Sequence, residues 1–229
     1  MRTLIVVPAY NEAPNILGVV ADIRQHCPQA DLVVIDDCST DGTLSLLEQA
    51  RIPHLALAVN LGIGGCVQTG YQYAIERGYE IVVQFDGDGQ HEGRFLPDLL
   101  RPIEAGEADV VVGSRFLEKQ GFQSDPLRRA GIRFLSGLIR LLSGVRVTDV
   151  TSGMRAVGPR FAAEYALSYA QDYPEPEALL SAAVLGARIA EVPVEMQARQ
   201  GGKSSIGPLG TVYYFVKVTL ALLMRRFLI

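Results

Sequence analysis

Short, largely apolar runs recur along this chain, and each opens into a loop carrying glycine, asparagine or acid residues. The runs are Leu4–Val7, Leu32–Ile35, Leu55–Val59, Ile81–Phe85 and Val110–Val112. Their length and their β-branched content predict buried strands. Helical patterns lie between the first four. One is expected to start at an Asn11 cap and run to about Cys27, with Pro14 in its first turn. A second runs to about Ala50, and a third leads from Asn60-Leu61-Gly62-Ile63-Gly64-Gly65 to near Gly78. Strand–helix alternation of this kind predicts an α/β fold, with a mostly parallel sheet and helices on both faces.

A chain of 229 residues, 48% of them hydrophobic, is long enough to bury a real core. The formal net charge of −4 gives no basic field for nucleic acid, and no basic-aromatic pattern supplies one locally. Cys27, Cys38 and Cys66 are few and irregularly spaced, which fits a reducing compartment better than a disulfide framework or a zinc site. The N-terminus enters its first strand with no secretory hydrophobic region, so a cytoplasmic location is expected for the catalytic part.

The stretch Gln84-Phe85-Asp86-Gly87-Asp88-Gly89-Gln90-His91 carries the most chemistry. Two carboxylates sit two residues apart at the carboxyl end of a strand, spaced by glycine. Ligands of open α/β sheets bind at such strand ends. Mg²⁺ and Mn²⁺ prefer carboxylate oxygens and share them with substrate phosphates. Of the three histidines, His26, His54 and His91, only His91 lies in this candidate site.

Two later segments are helical in pattern. Over Pro126–Leu142, Arg129, Arg133 and Arg140 fall within ~40° of one another at about 100° per residue. Ile132, Leu135, Ile139 and Leu142 take the other side. This reads as an ordinary surface helix or as an arginine stripe for a phosphate or an anionic membrane surface. Gly207–Ile229 is apolar around the whole wheel apart from Lys217. A helix of that kind is deeply buried or in lipid. The expected state is a membrane-associated or shallowly inserted helix anchored by Arg225 and Arg226, with a core helix as the competing reading. On this reading residues 1–206 form the catalytic domain and 207–229 the appended helix.

Further loops complete a series: Pro8-Ala9-Tyr10-Asn11-Glu12, Asp36-Asp37-Cys38-Ser39-Thr40-Asp41-Gly42-Thr43, Gly113-Ser114-Arg115-Phe116, Asp149-Val150-Thr151-Ser152-Gly153-Met154-Arg155 and Arg199-Gln200-Gly201-Gly202-Lys203-Ser204-Ser205. With the Asp86 motif, these resemble family 2 glycosyltransferases of the GT-A type, whose sheet is Rossmann-like. The resemblance is nearest to the polyprenyl-phosphate sugar transferases, of the dolichol-phosphate mannose synthase and bactoprenol glucosyltransferase type. It extends to about Ile206 with the motifs in family order.

The resemblance implies a nucleotide-diphosphate-sugar donor, with a UDP-sugar favoured, and a Mg²⁺ or Mn²⁺ cofactor. Pro8, Ala9, Tyr10 and Glu12 would cradle the nucleoside, and Asp37 would meet the base edge. Asp86, Asp88 and Gln90 would hold the metal against the diphosphate, and Arg199 and Lys203 would close over it. The chain carries Ser205 where a common pattern has lysine. Arg115 and Arg129 match acceptor-phosphate positions; Arg133 lies one turn further, and Ser152 belongs to a signature near the acceptor. Asp149, Ser152 and Arg155 could equally form a buried structural network.

The reaction implied is an inverting transfer of a hexose to a polyprenyl (undecaprenyl or dolichyl) phosphate, for cell-envelope glycan or glycoconjugate synthesis. Asp88, Arg115 and Glu175 are the expected catalytic positions. An ionised phosphate acceptor needs no general base, whereas a sugar hydroxyl would need a carboxylate such as Glu175. A glycan-extending transferase acting on a lipid-linked sugar therefore stays open, as does a non-catalytic nucleotide-sugar-binding subunit. The expected location is the cytoplasmic face of a membrane, with a separate membrane protein as a possible partner.

Overall fold

The structure, a computed structural model, describes residues 1–118, 126–197 and 208–228. Its strands are β1 (Thr3–Ala9), β2 (Asp31–Asp36), β3 (His54–Ala56), β4 (Ile81–Gln84), β5 (Val110–Ser114), β6 (Arg155–Val157) and β7 (Ile189–Pro193). They form a seven-stranded sheet in the order β3-β2-β1-β4-β6-β5-β7. All neighbours run parallel except β6, which lies antiparallel to both β4 and β5. The helices are α1 (Ile16–His26), α2 (Thr43–Gln49), α3 (Gly62–Glu76), α4 (Leu96–Glu104), α5 (Pro126–Ser143), α6 (Pro159–Leu167), α7 (Pro174–Val184) and α8 (Pro208–Leu228).

Alternate residues of each strand point to opposite faces. Ile5, Val7, Val34 and Val83 pack with Ile16, Val20 and Ile23 of α1, Leu47 of α2 and Leu99 of α4. Leu4, Val6, Ile35 and Val82 pack on the other face with Val67 and Tyr71 of α3, Phe161 of α6, Leu179 of α7 and Leu135 of α5. Both faces are covered, which is why the runs show no polar alternation. The chain leaves β1 for β2 on one side and returns as β4 on the other. The loops after β1 and β4 therefore diverge at a switch point, where crevices form in such sheets.

Two expectations need correction. First, α1 begins at Ile16, not at Asn11. Asn11 has a left-handed φ of 57°, and its side-chain oxygen accepts hydrogen bonds from Thr40 N at 2.8 Å and Asp41 N at 3.2 Å. Its side-chain carbonyl is thus drawn across to the β2 loop instead of capping a helix.

Second, α8 packs against α7 and α5, burying Tyr214, Val218 and Leu222 at i, i+4 and i+8. Burying side chains of this size contributes about 2 kcal/mol each. The core reading of this helix holds for that face. Its opposite face leaves Tyr213, Val216, Leu220, Met224 and Phe227 exposed. Arg225 donates to Ser181 Oγ at 2.9 Å and Arg226 to the Leu142 carbonyl at 3.1 Å, so both are tied to protein and not to a lipid surface. Lys217 pairs with Asp172. Among the described residues no helix is long and apolar enough to cross a membrane. The expected boundary after residue 206 lies outside the described residues.

Candidate active site

A cleft of about 750 Å³ opens at the carboxyl ends of β1, β2 and β4. Pro8, Ala9, Tyr10, Asn11 and Glu12 line it from β1, and Asp37 from β2. Asp86, Gly87 and Asp88 line it from β4. Gly87 sits so close to β1 that a Cβ there would stand 2.8 Å from the Pro8 carbonyl oxygen. Glu12 is buried; its N–H donates to Thr43 Oγ1 and its carboxylate accepts from Asn15 Nδ2 at 2.7 Å. Asp37 lines the cleft, but its two oxygens accept the backbone N–H groups of Leu61 and Gly62 at 2.7 and 2.9 Å. It braces the start of α3, and what it offers a base is the second lone pair on each oxygen.

Asp86 is the most constrained acid here. Its Oδ2 lies 3.2 Å from Nε2 of the buried His91, and its Oδ1 accepts from Gln84 Nε2 at 3.3 Å. Gly153 faces this carboxylate with no side chain of its own; a Cβ there would overlap both carboxylate oxygens. Burial opposes ionisation of Asp86, yet the hydrogen bond and charge of His91, the Gln84 amide and the Arg155 charge outweigh it and hold the carboxyl below its ordinary range. Asp88 accepts the Gln90 N–H at 3.0 Å.

Among the described residues no three His, Cys, Asp or Glu side chains converge into a ready-made metal cage. Asp86 and Asp88 border an open cleft, and His91 stands behind Asp86 as an orienting partner. Mg²⁺ and Mn²⁺ sites that borrow substrate phosphates are built in this way, from one or two carboxylates and an outer-shell partner. The donor set fits such a cation. Gln90 is a correction: it does not line the cleft, and its Nε2 donates to the Gln197 carbonyl at 3.1 Å, tying the β4 loop to the chain after β7.

A second cavity of about 190 Å³ adjoins the first. Asp86, Tyr173 and Glu175 line both. Its other walls are Arg128 and Ile132 of α5, Thr151 and Gly153, and Tyr214 and Phe215 of α8. Glu175 stands in the first turn of α7. Burial raises its carboxyl above the ordinary value, against the pull of Arg155. Arg155 is itself buried and donates to the carbonyls of Ser152, Glu175 and Val150 at 2.7, 2.7 and 3.1 Å. It thereby fixes the start of α7 over the site.

The acceptor-side expectations change most. Arg115 lines neither cavity; its Nε and Nη2 each donate to the Asp149 carboxylate at 2.6 Å, with side-chain exposures of 6% and 0%. Ser152 is buried, and its Oγ accepts the Met154 N–H. The structural-network reading of this signature is the one observed. Arg129 and Arg133 are not lining residues either; Arg128, which the wheel passed over, is. Arg199 and Lys203 lie outside the described residues. Sequence reasoning also missed Gln84, Tyr173 and the cleft-lining Cys66 and Asp172, although a glutamine at the end of an apolar strand was a signal.

The sequence model of glycosyl transferase family 2 matches residues 4–164. An undecaprenyl-phosphate mannosyltransferase of Micrococcus luteus is 31% identical over 219 residues, covering 90% of this chain and 88% of that one. A polyprenol monophosphomannose synthase of Mycolicibacterium smegmatis is 34% identical over 162 residues, covering 68% of this chain and 61% of that one. Among solved structures, glucosyl-3-phosphoglycerate synthase from Mycobacterium tuberculosis, in complex with Mn²⁺, UDP-glucose and phosphoglyceric acid, shares the fold. It superposes with a TM-score of 0.72 at 22% identity, over 98% of this chain and 79% of that one. The family match ends before Tyr173, Glu175, Tyr214 and Phe215, so most of the second cavity's aromatic wall lies beyond it.

Proposed function

The chain belongs to glycosyl transferase family 2 and is a glycosyltransferase, and from that premise we propose that it moves a hexose from a nucleotide-diphosphate sugar, a UDP-sugar by preference, to a polyprenyl phosphate. One observation carries the reading. A large polar cleft and a smaller cavity with apolar and cationic walls meet at Asp86 and Glu175. A donor and an amphiphilic, anionic acceptor need such a shared border.

The reaction is a single displacement. A phosphate oxygen of the acceptor bonds to the anomeric carbon as the bond from that carbon to the diphosphate breaks. The electron pair leaves with the nucleoside diphosphate. The attacking oxygen is already ionised, so no proton has to be moved. Asp86 and Asp88 would hold Mg²⁺ or Mn²⁺, which when bound offsets the negative charge developing on the departing diphosphate. Asp86 is suited to this because His91, Gln84 and Arg155 keep it ionised. Pro8–Glu12 bound the nucleoside side of the cleft. Structures of the Mycobacterium tuberculosis relative in fold hold Mn²⁺ and UDP, which supports this cofactor and donor class.

The second reading, transfer to a hydroxyl of a lipid-linked sugar, draws on Glu175. Its raised carboxyl borders both cavities and could act as base. The exposed apolar faces of α5 (Leu127, Phe134, Leu141) and α8 support work at a membrane surface, on its cytoplasmic side. The test is a radiolabel transfer assay with a panel of nucleotide sugars and Mn²⁺. Label reaching undecaprenyl phosphate supports the proposal. Label reaching only a polyprenyl-diphosphate sugar, with loss in Glu175→Gln, favours the second reading.

A further inference from the structure

The α5 surface turned to the smaller cavity is not the arginine stripe of the wheel. Arg128 and Ile132, one turn apart, line the cavity. Between them Gly131 leaves a gap, and the Phe215 ring of α8 fills it; a Cβ on Gly131 would overlap that ring. Phe215 packs edge-on against Tyr214 at 5.0 Å, and Tyr214 against Tyr173 at 4.6 Å. An aromatic wall thus runs from the donor cleft to the seam between α5 and α8.

The volume and the lining together select an occupant. Pockets that enclose a whole small ligand run to about 300–1,000 Å³. A cavity of about 190 Å³ takes a head group and the start of a tail. The rest of a long apolar tail has to leave along the seam, where Leu127, Phe134, Tyr213 and Val216 continue an exposed apolar surface. Arg128 supplies the cation for an anionic head, and a guanidinium matches phosphate oxygens in geometry as well as charge.

We infer that Arg128 and the Phe215 ring seated on Gly131 are the acceptor-selecting elements: Arg128 holds the head of a prenyl monophosphate, and the Phe215–Gly131 contact sets the bore through which its tail leaves. The inference rests on the function proposed above, but it is tested by binding and not by transfer. Adding a methyl at Gly131 drives the Phe215 ring toward the cavity, and Ala suits a helix better than Gly, so folding is not the obstacle.

The probe is farnesyl phosphate, titrated calorimetrically into the full chain with UDP and Mn²⁺ present. Arg128→Ala and Gly131→Ala are each expected to weaken its binding about tenfold or more, the loss of one charge-assisted contact or of the tail's path. Adding Phe215→Ala to Gly131→Ala should restore affinity to within about threefold, because the obstructing ring is gone. Arg129→Ala should bind within about twofold of the unaltered chain, as exposed residues off the contact do. UDP binding stays unchanged in all four variants if they are folded. Unaltered affinity in either single variant overturns the inference, as does failure of the unaltered chain to bind farnesyl phosphate. If the binding pattern holds but no hexose reaches undecaprenyl phosphate, the proposed function fails and the site assignment stands.

Discussion

The carboxylate of Asp86 lies against the side-chain-free face of Gly153, in the space a Cβ would take. Gly153 comes from the loop before β6 and Asp86 from the loop after β4, so two chain segments meet at the expected metal ligand. Gly153→Ala forces Asp86 to move away from His91 and Gln84. Mn²⁺-dependent UDP binding should weaken about 10–100-fold, the usual scale for disturbing support behind a metal ligand. Calorimetry with and without Mn²⁺ checks this; an unchanged Mn²⁺ dependence would show that Asp86 does not need its seat.

Asp88→Asn keeps the shape of the side chain and its hydrogen bond to the Gln90 N–H, but removes the charge. Transfer should fall at least about 100-fold, with Mn²⁺-dependent UDP binding weakened in parallel. Urea melts should superpose on those of the unaltered chain. Near-normal turnover would refute the metal assignment.

Arg115→Ala leaves the fully buried Asp149 carboxylate without its bidentate partner. Stripping one member of a buried pair costs about 3–5 kcal/mol. The expected result is a large drop in the urea midpoint. A raised acceptor KM with an unchanged melt would restore the acceptor role that the sequence implied for this residue.

Glu175 carries a pH signature. Burial raises its folded-state pKa, so the folded chain holds the proton more tightly than the unfolded chain. Its contribution is therefore fully favourable below the ordinary carboxylate pKa and is lost as pH rises through the folded value. Glu175→Gln does not titrate, and the Asp86 contribution is common to both chains. The stability of the variant relative to the unaltered chain should rise between about pH 4 and about pH 7.5, measured by urea melts. A difference that falls over that range would mean that Arg155, not burial, governs this carboxyl.

The sheet and the donor side were legible because strand runs and strand-end loops are local signals. Ile81–Val83 could only be a buried strand, and Asp86 and Asp88 could only leave it at the ligand-binding rim. What stayed hidden depended on distant partners. The Arg115 guanidinium is claimed by Asp149, 34 residues away, and Gln90 by Gln197, 107 residues away. The choice between Arg128 and Arg129 turns on about 100° of helix rotation, which a wheel cannot set without knowing where α8 lies. Asn11 looked like a cap because caps are among its commonest uses. The β2 loop outcompeted the helix for its oxygen.

The reversed polarity of β6 has an effect that a sheet running one way could not produce. Uniform strands furnish their reactive rim only with chain that is departing; here one strand begins at that rim, and Gln84 stands opposite Arg155 in the ladder. Outgoing loops grip the nucleotide, whereas incoming chain lays the floor under the group being handed over. The two substrates are thus served by opposite directions of travel, and the pairing of a single short strand keeps them in step.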